Sequence, residues 1–187
     1  LVYKILKTWR EKATNRKRGC RISVATAYFV PKPFTPFQWE AQISPEEYTR
    51  RQRLLKEHMP AKSVDYKWHE SSLSRLEAVL ARGDCRLGAV LEHAVLHGAK
   101  LDGWDEYFRY DLWLDAFQAC GIDPDFYTRE RSEDELLPWD TIDVGVKKQF
   151  LQKERKAAYA STITPDCRTQ CTGCGANLLY PEGPCDA

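Results

Sequence analysis

Four cysteines near the end of the sequence are the residues best suited to chemistry. The first three have the spacing C-x3-C-x2-C, and Gly173 and Gly175 lie among them. The set is Cys167, Cys171, Cys174 and Cys185. Thiolates at such short spacings can surround one metal centre, and the glycines give the backbone freedom and let amides approach the sulfurs. Four thiolates suit either tetrahedral zinc or a closed 4Fe–4S cluster, and a tail with unligated thiols is the third interpretation.

The number and placement of all the cysteines favour a metal site in a reducing compartment. The chain has seven cysteines, of which Cys20, Cys85 and Cys120 are scattered. An odd total, terminal clustering and no recognisable secretion signal argue against a disulfide scaffold. We therefore expect a cytoplasmic protein. The chain begins with Leu1 rather than Met, which favours a fragment or a processed product.

Composition and charge indicate a folded domain rather than a protein that binds nucleic acid or membranes through its net charge. The 187 residues are 43% hydrophobic and 29% charged, and the net charge is +1. This balance by itself predicts neither a nucleic-acid nor a membrane partner, and no run of 18 apolar residues could span a bilayer. Residues 1–18 are locally basic. We interpret them as a solvated helix face, with a phosphate-facing patch as the alternative.

The first part of the chain predicts a helix, a strand and a rigid loop. Apolar residues at three- and four-residue steps predict a helix over 1–17, and the β-branched and aromatic run 21–30 predicts a buried strand. Three prolines in the segment 31–39 exclude both a helix and a central strand, so we expect extended backbone with exposed aromatic side chains. Such a loop, past the carboxyl end of a strand, is where α/β proteins build sites. The predicted substrate-side residues are Lys32, Phe34, Phe37 and Trp39.

The rest of the chain is predicted to be mainly helical. Ser44 caps a helix that begins with Pro45, contains Glu47 as the capping-box partner and ends near His58. A short strand follows over 62–68. Further helices are predicted over 72–81, 85–98, 109–120 and 145–160. Residues 161–187 have little hydrophobic periodicity and need a cross-link to pack.

Three weaker patterns have plain structural interpretations. His93 and His97 are spaced to share a zinc ion, but no third ligand is evident, so we favour a solvent-facing pair. In the Arg82-Gly83-Asp84 sequence, Asp84 is expected to cap the next helix, and an ion-pair cluster of Arg82, Asp84 and Arg86 is the structural alternative. Most of the large aromatic residues are expected to fill the core, with base stacking as the alternative. They are Trp68, Trp104, Tyr107, Phe108, Trp113 and Trp139.

Several stretches together resemble one family over nearly the whole chain from about residue 20. They are FVPKPFTPFQW (29–39), LEAVLARGD (76–84), GWDEYF (103–108), LPWDTIDVGV (137–146) and TPDCRTQCTGCG (164–175). They resemble the C-terminal part of an uncharacterised bacterial radical-SAM family whose N-terminal domain is cobalamin-binding-like. The resemblance implies that FVPKPFTPFQW is the exit of a late barrel strand. It also implies S-adenosylmethionine (SAM) as the co-substrate that a 4Fe–4S cluster cleaves, and cobalamin as a candidate cofactor. A translation-related RNA or protein is our guess for the substrate.

The family's catalytic cluster ligands cannot be transferred to this chain. Residues 1–165 contain no C-x3-C-x2-C motif, and the terminal motif has Gly173 where radical-SAM motifs usually have an aromatic residue. Only thirteen residues follow Cys174, too few for a barrel that would hold SAM. We therefore predict no catalytic residue here and an auxiliary or structural metal site at the cysteines. SAM-binding and other cofactor-binding residues stay unassigned.

The sequence thus predicts an α/β fragment with three parts. Residues 1–40 form a helix–strand remnant of a partial TIM-type radical-SAM barrel, residues 41–160 a mainly helical extension, and residues 161–187 a cysteine-rich metal-binding tail. The predicted partner is the N-terminal barrel of the same polypeptide, and the isolated chain is expected to be inactive. The alternative function is a zinc-knuckle RNA-binding module, in which the basic helix contacts phosphates and tryptophans stack on bases.

Overall fold

The computed structural model describes residues 1–15, 17, 19–59 and 62–176 of the chain. These residues form a mixed α/β structure of seven helices and two strands. The elements are α1 (Val2–Lys12), β1 (Ile22–Thr26), α2 (Pro45–Glu57), β2 (Val64–Trp68), α3 (Ser71–Arg82), α4 (Leu87–Leu96), α5 (Tyr110–Ala119), α6 (Asp125–Thr128) and α7 (Lys148–Tyr159). None of the helices in the described ranges is long and apolar enough to cross a membrane.

The chain divides into two compact units. The first contains Leu1–Phe29 and Ile43–Arg75, and the second contains Val30–Gln42 and the described residues from Leu76 onwards. These boundaries differ from the predicted divisions at residues 40 and 160. The segment 31–39, called the Pro-rich loop below, belongs to the second unit. The strand before it and the helix after it belong to the first unit.

The first unit is built around a parallel strand pair. β1 and β2 pair in parallel, with Ile22 opposite Val64 and Thr26 opposite Trp68, and α2 lies between them in sequence. This is a βαβ unit, the building block of α/β folds. The mixed α/β part therefore extends to Trp68, beyond the predicted boundary at residue 40.

Two predictions in the first unit need correction. The strand predicted over 21–30 covers only Ile22–Thr26, and its residues alternate between half-buried and exposed. It is not buried, since it has one neighbouring strand among the described residues. The helix predicted over 1–17 ends at Lys12, because Ala13 has extended backbone with φ −68° and ψ 125°. Among the apolar residues of this helix Leu6 is buried, while Leu1, just before it, and Ile5 are exposed.

The predicted Ser44 cap and the position of Pro45 at the start of α2 are confirmed. The Ser44 Oγ accepts a hydrogen bond from the Glu47 backbone N–H at 3.2 Å, and Pro45 occupies the first turn. The Glu47 carboxylate pairs with the guanidinium groups of Arg50 and Arg51. These hydrogen bonds lower the pKa of Glu47 to about 2.

The second unit has a helical core in which α3, α4, α5 and α6 meet. Residues of all four helices are buried there, including Val90, Trp113 and Phe117. The cluster is Leu76, Val79, Leu87, Val90, Ala94, Ala99, Trp113, Ala116, Phe117 and Tyr127. Leu91 and Val95 are exposed, because α4 is apolar around most of its circumference and only one face packs on α5.

A second, smaller cluster joins the Pro-rich loop to α7. Its buried members are Trp39, Leu137, Trp139 and Leu151, and Phe34, Val146 and Phe150 pack against them. Trp113 and Trp139 are therefore core residues, as predicted. Trp68 and Trp104 are not, with 41% and 58% of their surface exposed.

Candidate functional site

The Pro-rich loop is a series of turns rather than extended backbone. Phe34 has a left-handed backbone with φ 58°. The Thr35 hydroxyl donates to the Lys32 carbonyl at 2.7 Å, and the Gln38 N–H donates to the Thr35 carbonyl at 3.1 Å. The prediction of extended backbone is therefore wrong. Proline excludes helix interiors and central strands, but its fixed φ is compatible with turns.

The four predicted substrate-side residues have different environments. Lys32 is exposed and pairs with Glu77. Phe34 and Phe37 are half-buried, and the Phe37 ring contacts the Tyr159 ring edge-on at 6.3 Å between centroids. Trp39 is completely buried, so its predicted exposure is wrong. Phe34 lines a cavity between this loop and residues 139–151.

Gln38 organises this loop, and sequence reasoning missed it. Its side chain is 2% exposed. The Gln38 Oε1 accepts hydrogen bonds from the Trp139 Nε1 at 2.7 Å and from the Phe34 backbone N–H at 2.9 Å. Gln38 therefore fixes the strained Phe34 backbone and joins the loop to a residue 101 positions further along the chain. The available signal was an uncharged polar residue between two aromatic ones, Phe37 and Trp39.

A cavity of about 400 Å³ lies between the loop and residues 139–151. Its lining residues are Phe34, Gln38, Trp139, Asp140, Thr141, Ile142, Asp143, Val144, Val146, Lys148 and Leu151. Gln38, Trp139 and Leu151 are buried and form its base, while the residues 140–143 are exposed and surround its mouth. Segments from two distant parts of the chain, 34–38 and 139–151, therefore share one recess.

The carboxylates at the mouth of the cavity accept hydrogen bonds from donors within residues 137–148. The Asp140 Oδ2 accepts from the Leu137 N–H at 3.0 Å and from the Lys148 Nζ at 3.2 Å. The Asp143 Oδ1 accepts from the Gly145 N–H at 2.7 Å. These hydrogen bonds fix the backbone of the LPWDTIDVGV segment (137–146), which forms one wall of the cavity.

The Arg82 side chain holds the Pro-rich loop in place through hydrogen bonds to its backbone. Its guanidinium is fully buried and donates to four backbone carbonyls, those of Gln38 in the loop, of Glu40 directly after it, and of Tyr127 and Arg129. The donor–acceptor distances are 2.8–3.0 Å. Burial, with the nearby positive charges of Arg131 and Arg129, lowers the pKa of Arg82 to about 10. The group therefore stays charged at neutral pH.

The structure corrects the predicted Asp84 cap and confirms only the Asp84–Arg86 part of the predicted ion-pair cluster. Asp84 does not cap α4, which begins at Leu87 without a side-chain cap. Its carboxylate instead pairs with Arg86 at 2.7 Å, which lowers the pKa of Asp84 to about 2. Arg82 does not join this pair, since its hydrogen bonds go to carbonyls 42 to 47 residues away in sequence.

The cysteine segment is attached to the start of α7. The Lys147 N–H donates to the Cys174 carbonyl at 2.9 Å. Gly173 and Gly175 have left-handed backbones, with φ +74° and +98°. The Ala176 N–H lies 3.5 Å from the Cys174 Sγ as a hydrogen-bond donor. Glycines and an amide directed at sulfur were both predicted for a metal-binding turn.

The described residues do not by themselves assemble a metal site. Cys167 and Cys171 are exposed thiols and Cys174 is half-buried. Across residues 1–15, 17, 19–59 and 62–176, no three His, Cys, Asp or Glu side chains are grouped so that they could hold a metal ion. Cys185, the predicted fourth ligand, lies outside the described residues. His93 and His97 stack their rings at 3.9 Å.

No protein-family model, curated protein or solved structure matches this chain.

The contact between Gly175 and Gly145 gives a test of how the cysteine segment is held. A Cβ on Gly175 would lie 2.7 Å from the Gly145 carbonyl oxygen, whereas one on Gly173 would meet nothing within 4 Å. Both substitutions to alanine incur the left-handed strain of about 1–2 kcal/mol. We expect only Gly175→Ala also to displace the segment and expose the Lys147 amide, which hydrogen exchange measured by NMR would detect. Equal loss of Lys147 protection in both variants would contradict this attachment.

Proposed function

We propose that this chain is the C-terminal region of a radical-SAM iron–sulfur enzyme, where it closes the barrel and holds an auxiliary or structural metal centre. The observation that carries the proposal is the parallel pairing of β1 with β2 around α2. Parallel sheets occur almost only as larger sheets with both faces covered. A two-stranded parallel sheet is therefore an incomplete element that fits the end of an α/β barrel.

The surroundings of β1 support a neighbouring strand. A groove of about 590 Å³ is lined by all five residues of β1 and by none of β2. Successive residues of a strand point to opposite faces, so a groove that touches every one of them follows the strand edge. Apolar residues of α1, of the end of α2 and just beyond it complete the groove, including Ile5, Leu55 and Met59. Such an edge suits another parallel strand of a radical-SAM barrel, the partner that the resemblance implies.

The metal part of the proposal concerns Cys167, Cys171, Cys174 and Cys185. Metal binding commonly organises its own ligand segment, because the binding free energy contributes to folding. Bound zinc or a 4Fe–4S cluster would supply a cross-link in a segment that has little hydrophobic periodicity. The chain's own contributions are the glycine turns, the Ala176 N–H directed at sulfur and the attachment of Cys174 to Lys147.

Metal content tests this part directly. The chain is purified anaerobically, its iron, sulfide and zinc are measured, and its visible spectrum is recorded. We expect either about one zinc ion, or about four iron and four sulfide with broad absorbance near ~400 nm. Cys174→Ser is expected to lose the metal, while Cys85→Ser, an exposed cysteine outside the segment, is expected to keep it. No metal in the wild-type chain, or equal loss in both variants, would contradict the metal proposal.

Catalysis provides a separate test. The chain lacks the family's catalytic motif, so the isolated protein is expected to cleave no SAM after reconstitution with iron, sulfide and a reductant. Cleavage of SAM by the isolated chain would overturn the assignment of the cysteines to an auxiliary role.

One observation favours the zinc-knuckle RNA-binding alternative. Lys4, Lys7 and Arg10 are exposed on α1, and the Lys56 ammonium lies 5.7 Å above the ring of the exposed Trp68. Basic and aromatic side chains together bind single strands. This function predicts zinc without iron and an affinity for single-stranded RNA that falls steeply with salt, measured by fluorescence anisotropy. Iron and sulfide in the protein would favour the radical-SAM proposal instead.

A further inference from the structure

The cavity between the Pro-rich loop and residues 139–151 has the size and composition of a small-molecule site. Its volume of about 400 Å³ is within the usual range for ligand pockets. Its walls combine the aromatic side chains of Phe34 and Trp139 with aliphatic ones such as Val144 and Val146. A flat, largely apolar ring suits such walls.

The strained backbone of Phe34 is a second feature that indicates a ligand site. A bulky residue at φ 58° is strained, and such strain persists mainly at ligand-binding and catalytic sites. Glycine would adopt this turn at no steric cost. A phenylalanine at this position places an aromatic ring in the cavity wall, and the Gln38 Oε1 holds the strained backbone by accepting the Phe34 N–H.

Gln38 provides polar recognition at the base of the cavity. Its oxygen already accepts from the Trp139 Nε1 and the Phe34 N–H. A glutamine amide also carries two N–H donors, so Nε2 is the group that Gln38 can offer to a ligand. The complementary ligand atom is an acceptor, such as a carbonyl oxygen or a ring nitrogen.

The charges at the mouth argue against an anionic ligand. Two carboxylates, Asp140 and Asp143, line the cavity with one ammonium group, that of Lys148. The Lys148 Nζ already bonds Asp140. A phosphate at the mouth would therefore face net negative charge.

From these features we infer that the cavity binds a nucleoside through its base, in preference to the corresponding nucleotide. The base stacks between the aromatic and aliphatic walls, an acceptor on its edge takes the Gln38 N–H, and the sugar lies at the mouth. This site does not depend on the metal centre or on the radical-SAM proposal, since every residue it uses belongs to the cavity.

Isothermal titration of the 187-residue chain with uridine, cytidine, adenosine and guanosine tests the inference, with the corresponding 5′-monophosphates as the charged comparison. At least one nucleoside is expected to bind in the micromolar to millimolar range, about tenfold or more tightly than its monophosphate. No binding by any nucleoside at millimolar concentration, or tighter binding of the monophosphate, would overturn the inference.

Two variants locate the binding. Gln38→Glu keeps an acceptor for the Trp139 and Phe34 N–H groups but removes the donor, and Val144→Trp fills the cavity from its half-buried wall. Each is expected to weaken binding by about tenfold or more. Gln118→Glu, an exposed glutamine on α5, is the matched control and should bind like the wild type. If Gln38→Glu fails to fold, Val144→Trp still decides. Unchanged affinity in a folded Val144→Trp would place the ligand elsewhere and refute the site.

Discussion

Replacing Arg82 with methionine is expected to lower the free energy of unfolding by about 3 kcal/mol or more. The substitution keeps an unbranched apolar stem but removes the guanidinium. Four buried or part-buried carbonyls, at Gln38, Glu40, Tyr127 and Arg129, then lose their donor. Hydrogen bonds from a charged donor are among the stronger ones, and leaving buried acceptors unpaired costs their full desolvation.

Urea titration with tryptophan fluorescence measures this effect, because Trp39, Trp113 and Trp139 are buried in the second unit. Arg86→Met is the matched control. The Arg86 side chain is 59% exposed. It pairs with the neighbouring Asp84 and lies 5.3 and 5.7 Å from the Phe126 and Tyr127 rings, contacts that are weak at an exposed site, so its loss should change stability by about 1 kcal/mol. Arg82→Lys should fall between the two, because one ammonium cannot reproduce the planar fork of donors. Equal effects of Arg82→Met and Arg86→Met would show that the buried guanidinium is not an anchor.

Replacing Trp39 with alanine is expected to cost about 3–5 kcal/mol, the usual range for truncating a buried tryptophan. Trp39 is completely buried in the cluster with Leu137, Trp139 and Leu151. Trp104→Ala is the control, since 58% of that side chain is exposed and its truncation should cost little. The two variants differ only in burial, so comparable losses of stability in urea titrations would contradict the core position of Trp39.

Trp39→Phe separates packing from hydrogen bonding. The Trp39 Nε1 is buried and has no hydrogen-bond partner among the described residues. Phenylalanine removes this unpaired donor while keeping much of the apolar surface. We expect it to lose clearly less stability than Trp39→Ala in the same titration. A loss equal to that of alanine would mean that the indole nitrogen has a partner in solution.

Sequence patterns predicted structure correctly where the determining contacts join residues close together in the chain. The Ser44-Pro45 start of α2 follows from side chains within one helical turn, and the structure has the predicted Ser44 cap. The inward faces of α3 and α5 follow from periodicity, because Leu76, Trp113 and Phe117 recur at helical spacing. In both cases the determining contacts lie a few residues apart.

The Pro-rich loop shows where sequence reasoning failed. Its prolines correctly excluded a helix and a central strand, but they did not determine which side of the loop is buried. Trp39 is buried because residues 137–151 pack on it, and Gln38 is buried because the Trp139 Nε1 donates to it. These partners lie about a hundred positions away, so no pattern within 31–39 could reveal them.

The sequence by itself therefore determined the α/β class, the Ser44-Pro45 start of α2 and the cysteine spacing, since each depends on residues close together in the chain. The tertiary structure alone decided the parallel pairing of β1 with β2, the burial of Arg82 and Trp39, and the cavity beneath Phe34. It also decided that Cys174 is attached to Lys147 beside that cavity wall. These features depend on free energies of burial and hydrogen bonding between distant segments, which are defined only once the chain has folded.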